Sequence, residues 1–398
     1  MRYDNSVWKD RRGAAAGKGK ALSEEKLPLS KEAAEELAEN ENRLIPKPKS
    51  KKQRIIQIIG IIAFVLVNAI VLFFTARNDF SKKPVERPEP FGTQSILFLI
   101  CAIACPLVAL GLETVKYLLM MRRLGERVSV RTAFETSALG KYYDNVTPFG
   151  TGGQPFQIWN LHKNGYTSGA SSAMPLASFI TAQVAFVLLA LVMFFINDSV
   201  SGVVGVKIIA YVGLVMYMIV PVMIVLTAIA PRITAKIIGF FVRLGAKLRL
   251  VRDPAKTTKR IEDGLRRYSA SLRYMAKSPM LLTELLILSV LYQIAILSIP
   301  YFVVRVFGVQ TSFWQALTLC LYVYASITIV PTPGNAGAAE GSFYLLFNQL
   351  ESNGLFWAML IWRFQCYYSF IVIGMLIYGY RAVESAVKSR RKPKRKTE

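Results

Sequence analysis

The sequence predicts an all-α polytopic membrane protein, with about six transmembrane helices plus two oppositely inserted re-entrant helical hairpins in an inverted-repeat-like arrangement. Three observations lead there. The chain of 398 residues is 53% hydrophobic, has a mean hydropathy of +0.37, and contains several apolar runs of the ~20 residues that cross a bilayer. Its net charge of +24 gathers in the tails and loops beside those runs, as cytoplasmic loops of membrane proteins do, and that placement argues against nucleic acid as a partner. Finally, two Pro- and Gly-rich stretches interrupt apolar surroundings: PFGTGGQPFQ at residues 148–157 and PTPGNAGAAEG at residues 331–341. Lipid cannot hydrogen-bond broken backbone, so such stretches survive at membrane depth only when buried in protein or lining a wet cavity. One interruption in each half of a chain points to a transporter-type binding site.

Taken in order, residues 1–54 mix Lys, Glu, Ala, Pro and Ser with few large apolar residues and read as a disordered charged cytoplasmic tail. No apolar run follows the first basic residues as it would in a secretory signal. The basic cluster ending at Arg54 precedes a first span, Ile55 to Thr75, and places the N-terminus inside. The first membrane half covers 55–230. It includes spans at Ser95 to Met121, Ala173 to Ile196 and Val204 to Ala230, with a re-entrant motif at 131–170. Residues 231–279 form a basic cytoplasmic linker, where Ile237, Phe240, Phe241 and Leu244 recur at helical intervals, as in a helix on an anionic bilayer surface. A solvated basic loop would fit the composition equally well. The second half, 280–380, has spans at Met280 to Val304 and Leu355 to Tyr380 around a second re-entrant motif at 312–350, and a basic cytoplasmic tail follows at 381–398. Eight full spans, with the two arms of 312–350 crossing completely, is the rival topology. Both leave the termini cytoplasmic, in a multi-pass protein of the cell membrane.

Cys101, Cys105, Cys320 and Cys366 all lie in apolar runs, and the only histidine is His162. No metal-ligand spacing results, and no metal or cofactor is expected. Ionisable residues in apolar segments usually face an interior or a cavity. The candidates are Glu113 and Lys116, whose i, i+3 spacing lets them satisfy each other, then Lys141, Asp144, Glu340 and Arg363. Asp144, Gln154, Glu340 and Arg363 are the candidate substrate-binding residues, Gln154 being a neutral donor and acceptor suited equally to a headgroup or to capping the hairpin. A structural ion pair between Glu340 and Arg363 is the plainer reading of those two. Pro148, Gly152, Gly153, Pro331, Pro333, Gly334 and Gly337 supply the hairpin backbone.

The stretches GKYYDNVTPFGTGGQPFQIWNLHKNGYTSGA (140–170), PTPGNAGAAEGSFYLLF (331–347) and WRFQCYYS (362–369) resemble the signature regions of the lysylphosphatidylglycerol synthase transmembrane, or flippase-like, family. The matching positions include Asp144, Gln154, Glu340 and Arg363 with the hairpin prolines and glycines. Gln154 and Gln157 stand where many members look acidic and basic. The resemblance implies a lipid translocase moving lysylphosphatidylglycerol or another lipid-linked polar group between leaflets. It also implies membrane lipids and anionic headgroups as partners, and a soluble or membrane-bound lipid-modifying enzyme as a further one. Phosphatidylglycerol lysyltransferase is the enzymatic alternative that the family name implies. It is disfavoured because only a short basic stretch follows the last span where an aminoacyl-transfer domain is expected, and because no nucleophile and base stand at catalytic spacing. An ion-coupled small-solute transporter would use the same cavity.

Overall fold

In the computed structural model, the described residues are 92–147, 150, 152–197, 204–247, 253–259, 261–263, 266, 278–328, 330, 333–335, 337–350 and 354–391. All fall in one compact unit, Ser50–Glu398. The expected first span at Ile55 to Thr75, the N-terminal tail, Pro148 and Pro331 lie outside the described residues. The described chain is helical, with no strand. The helices are α1 (Thr93–Arg123), α2 (Val130–Val146), α3 (Gly153–Lys163), α4 (Ser168–Ile196), α5 (Val204–Ile229), α6 (Pro231–Lys247), α7 (Pro279–Leu297), α8 (Ile299–Val306), α9 (Phe313–Ile327), α10 (Ala338–Phe347), α11 (Leu355–Arg363) and α12 (Ser369–Arg391). A π-helical turn, Phe364–Tyr368, joins α11 to α12 in one continuous rod. Among the described residues, four segments are long and apolar enough to cross a membrane: α1, most of α4, the run α7–α8 and the rod from Leu355 to Glu384.

Local chemistry sets the helix ends. Ser129, Thr167 and Ser312 cap α2, α4 and α9 by accepting the backbone N–H groups of Thr132, Ala170 and Gln315. At the other end of α1, Gly125 takes a φ of 77°, which lets Glu126 N donate to Met121 O at 2.8 Å and Gly125 N to Arg122 O at 3.1 Å. This closure is open to glycine at little cost. Arg122 and Arg123 lie in that last turn, where cations complement the helix dipole.

Two helical hairpins sit among the spans. α2 packs against α3 and α9 against α10. At 1.5 Å per residue, α9 with 15 residues is about 22 Å long and α10 with 10 residues about 15 Å. Both are shorter than the ~30 Å hydrocarbon core, as the arms of a re-entrant hairpin are.

The rod from α11 to α12 serves as a ruler for the direction of the hairpins. The base of the first lies at its C-terminal end, where Arg381 pairs with Glu135 and Arg131 Nη2 lies 2.5 Å from Glu384 Oε2. The base of the second lies at its N-terminal end, where Gly354 faces the ring of Phe307. Both tips reach the π-helical turn between them, since Asn145 hydrogen-bonds Tyr367 and Gly334 abuts the Tyr367 ring. The hairpins therefore enter from opposite ends and meet near the middle.

The linker helix α6 carries exposed Ile233, Phe240, Phe241 and Leu244, together with basic Arg232, Lys236, Arg243 and Lys247. It is amphipathic, as its spacing predicts.

Candidate functional site

The meeting of the hairpin tips follows from two helix starts that need anionic caps. The first N–H groups of a helix have no partner within it. At the start of α3, Asp144 Oδ1 accepts Gly153 N at 2.8 Å and Thr147 Oγ1 accepts Gly152 N at 2.9 Å. At the start of α10, Glu340 Oε2 accepts Gly337 N at 2.7 Å. Each tip thus carries one carboxylate locked onto backbone. Glycines permit the close fit: a Cβ on Gly153 would overlap the Asp144 carboxylate, and one on Gly140 would overlap Gln157.

Arg363, the last residue of α11, fastens the second tip. Its Nε lies 2.6 Å from Glu340 Oε1, and its Nη2 donates to Gly334 O at 3.0 Å. Both side chains are almost fully buried, at 2% and 4% exposure for Glu340 and Arg363. Both Glu340 oxygens are therefore engaged by protein. The π-helical turn that follows places Tyr367 beside the first tip, where it exchanges hydrogen bonds with Asn145. Single π turns recur at functional sites because they re-aim side chains without ending the helix.

Between the tips and the surrounding spans lies a cavity of about 320 Å³, at the lower end of the ~300–1,000 Å³ range of ligand pockets. Lys141, Asp144 and Gln154 line it from the first hairpin, and Asn335 and Thr328 from the second. α4 contributes Ser178 and Gln183, and α7 contributes Tyr292 and Gln293. A smaller annex of about 160 Å³ shares Asp144, Asn145 and Asn335 with it and reaches Gly334 and Arg363.

The charges in the lining are not equally balanced. Glu113 and Lys116 pair at 3.0 Å, as their spacing predicts, and Ser178 Oγ donates to Glu113 Oε1 at 2.6 Å. Asp144 faces the positive end of α3. Lys141 has no carboxylate within ion-pairing distance among the described residues. Its Nζ sits 4.9 Å from the centroid of the Tyr292 ring, a cation–π contact, and Asp144 and Glu113 attract it at longer range.

The structure brings Asp144 and Gln154 to the cavity and Asp144 and Arg363 to the annex, while Glu340 lines neither among the described residues. Gly152, Gly153, Gly334 and Gly337 stand at the tips. Tyr367, Gln183 and Gln293 were not singled out by sequence reasoning. The two glutamines carried a usable signal, since an amide inside an otherwise apolar span has to find a partner or a cavity. Tyr367 carried none, because its position depends on the π turn.

No curated protein matches the chain. The model of one family, described as the lysylphosphatidylglycerol synthase TM region, matches residues 57–374. That match takes in both hairpins and the π turn that joins them, and the chain belongs to the lysylphosphatidylglycerol synthase TM region family.

Proposed function

We propose that the chain is a lipid translocase of the cell membrane, in which a lipid headgroup passes through the cavity between the hairpin tips while its tails stay in the bilayer. One observation carries the reading. Two hairpins entering from opposite ends meet at a polar cavity lined by Lys141 and Asp144, the arrangement expected where access must alternate about a fixed midplane site. Lys141, Asp144 and Gln154 contact the headgroup in this reading. Glu340 holds the second tip in register and Arg363 links that tip to the annex. Basic residues at the C-terminal ends of α1 and α12 support a cytoplasmic C-terminus and entry of the first hairpin from the cytoplasmic face. Membrane lipids are the partners, with anionic headgroups also drawn to α6 and its basic flank.

The test is leaflet exchange of fluorescent phospholipids in proteoliposomes, read by reduction of the outer-leaflet dye. Wild-type protein should speed exchange, and Lys141→Met and Asp144→Asn should abolish it while eluting as monodisperse, folded protein. Exchange at the rate of empty liposomes with wild-type protein, or unchanged exchange with both variants, would overturn the proposal.

A further inference from the structure

The cavity lining holds an unusual number of uncommitted amides. Gln154, Gln157, Gln183 and Asn335 all line it, and none makes a side-chain hydrogen bond among the described residues. Gln183 Oε1 is fully buried with no partner. Gln293 donates from Nε2 to Ala182 O at 3.0 Å, which leaves its oxygen directed to other uses. A buried amide oxygen without a partner costs about 1–3 kcal/mol, so Gln183 Oε1 calls for a donor, and the half-buried Gln154 and Asn335 beside it leave their donors and acceptors open to the same cavity.

The residue types narrow that ligand. Each amide presents both donors and an acceptor, which matches hydroxyl groups, themselves donor and acceptor at once. A cationic headgroup would instead call for surplus carboxylates. Here Glu113 is neutralised by Lys116, and Asp144 gives one oxygen to the start of α3, which leaves one carboxylate oxygen to the cavity rather than a surplus of them. The Lys141 ammonium makes no direct ion pair among the described residues, although Asp144 and Glu113 lie close enough to attract it, and it suits a phosphate oxygen.

We propose that the cavity takes a phosphate ester bearing an uncharged, hydroxyl-rich group, a sugar or polyol, in preference to a cationic aminoacyl headgroup. Lys141 meets the phosphate and the amides of Gln154, Gln157, Gln183 and Asn335 meet the hydroxyls. The proposal rests on the translocase reading only for its assumption that the ester is attached to a lipid.

The full chain, purified in a polyoxyethylene detergent that carries no sugar, is titrated with dioctanoyl forms of phosphatidylinositol, phosphatidic acid and lysylphosphatidylglycerol, and with free inositol phosphate. Phosphatidylinositol should bind at least about tenfold more tightly than lysylphosphatidylglycerol to the wild type. Lys141→Met should weaken phosphatidylinositol and phosphatidic acid together. Gln154→Leu with Gln183→Leu should remove the preference for phosphatidylinositol over phosphatidic acid and leave phosphatidic acid binding in place. Equal or tighter binding of lysylphosphatidylglycerol overturns the proposal without any variant, and so does a preference that survives loss of both amides. Free inositol phosphate binding as well as its lipid form supports the headgroup chemistry and counts against the translocase reading. The selected headgroup binding without leaflet exchange does the same, so the two ideas fail separately.

Discussion

Asn145 and Tyr367 bridge the first hairpin to the rod by two hydrogen bonds, Asn145 Nδ2 donating to Tyr367 O at 3.1 Å and Tyr367 Oη donating to Asn145 O at 3.3 Å. Each side chain binds the other's backbone, so the pair fixes the height of the first tip against the π turn. The same Tyr367 ring stops the second tip, because it packs on the bare Cα of Gly334. One aromatic residue therefore sets the positions of both tips.

Tyr367→Phe should keep the ring against Gly334 and lose the bond to Asn145 O, at a cost of about 0.5–1.5 kcal/mol. Tyr367→Ala should lose the stop as well and cost about 3–5 kcal/mol, in the range for deletion of a buried aromatic. Thermal unfolding of both variants in detergent checks the order. Equal losses would mean that the ring does not position the second tip.

The opposed hairpins were legible in the sequence because their cause is local. Pro148, Gly152 and Gly153 in one half, and Pro333, Gly334 and Gly337 in the other, break helices where only a buried or wet site tolerates it. The Glu113–Lys116 pair was legible for the same reason, since three residues on a helix fix the distance. Pairings such as Asn145 with Tyr367, or Gln293 with Ala182, join residues 222 and 111 positions apart. They depend on which helix faces which, and no period or spacing encodes that. Nor did the sequence separate the roles of Glu340 and Asp144, because both are carboxylates beside a glycine break. The separation comes from Arg363, which occupies the oxygen of Glu340 that its own cap leaves free.

The Glu340–Arg363 pair should behave as a unit. Arg363→Met leaves a buried carboxylate without its cation and should cost about 3–5 kcal/mol. The double variant Glu340→Gln with Arg363→Met should cost less than the sum of the two single changes, because no stranded charge remains. Arg363→Lys should recover only part of the loss, since a single ammonium lacks the planar fork that reaches Glu340 and Gly334 O together. Additive losses in denaturant unfolding would show that the two residues act independently.

Gly334 has a φ of 60° and would place a Cβ into the Tyr367 ring, whereas Gly341, in α10, has open space around its Cβ position. Gly334→Ala should therefore lower the unfolding temperature and the yield of monodisperse protein. Gly341→Ala should leave both unchanged or raise them slightly, by the helix preference of Ala over Gly of about 1 kcal/mol. Similar behaviour of the two variants would remove the argument that the second tip is held by contact.

Lys141 and Lys116 provide a paired comparison of a functional and a structural lysine. Lys116 is fully buried, with Glu113 at 3.0 Å, so Lys116→Met strands a carboxylate and should destabilise by about 3–5 kcal/mol. Lys141 has the Tyr292 face at 4.9 Å and no carboxylate within ion-pairing distance among the described residues, so removing it strands no directly paired carboxylate. Lys141→Met keeps most of the side-chain volume. It should leave the unfolding temperature unchanged or higher while abolishing leaflet exchange. Lys141→Arg should retain part of the exchange, because the charge remains with a different shape. A Lys141→Met protein as unstable as Lys116→Met would place Lys141 among the structural pairs and remove it from the cavity's chemistry.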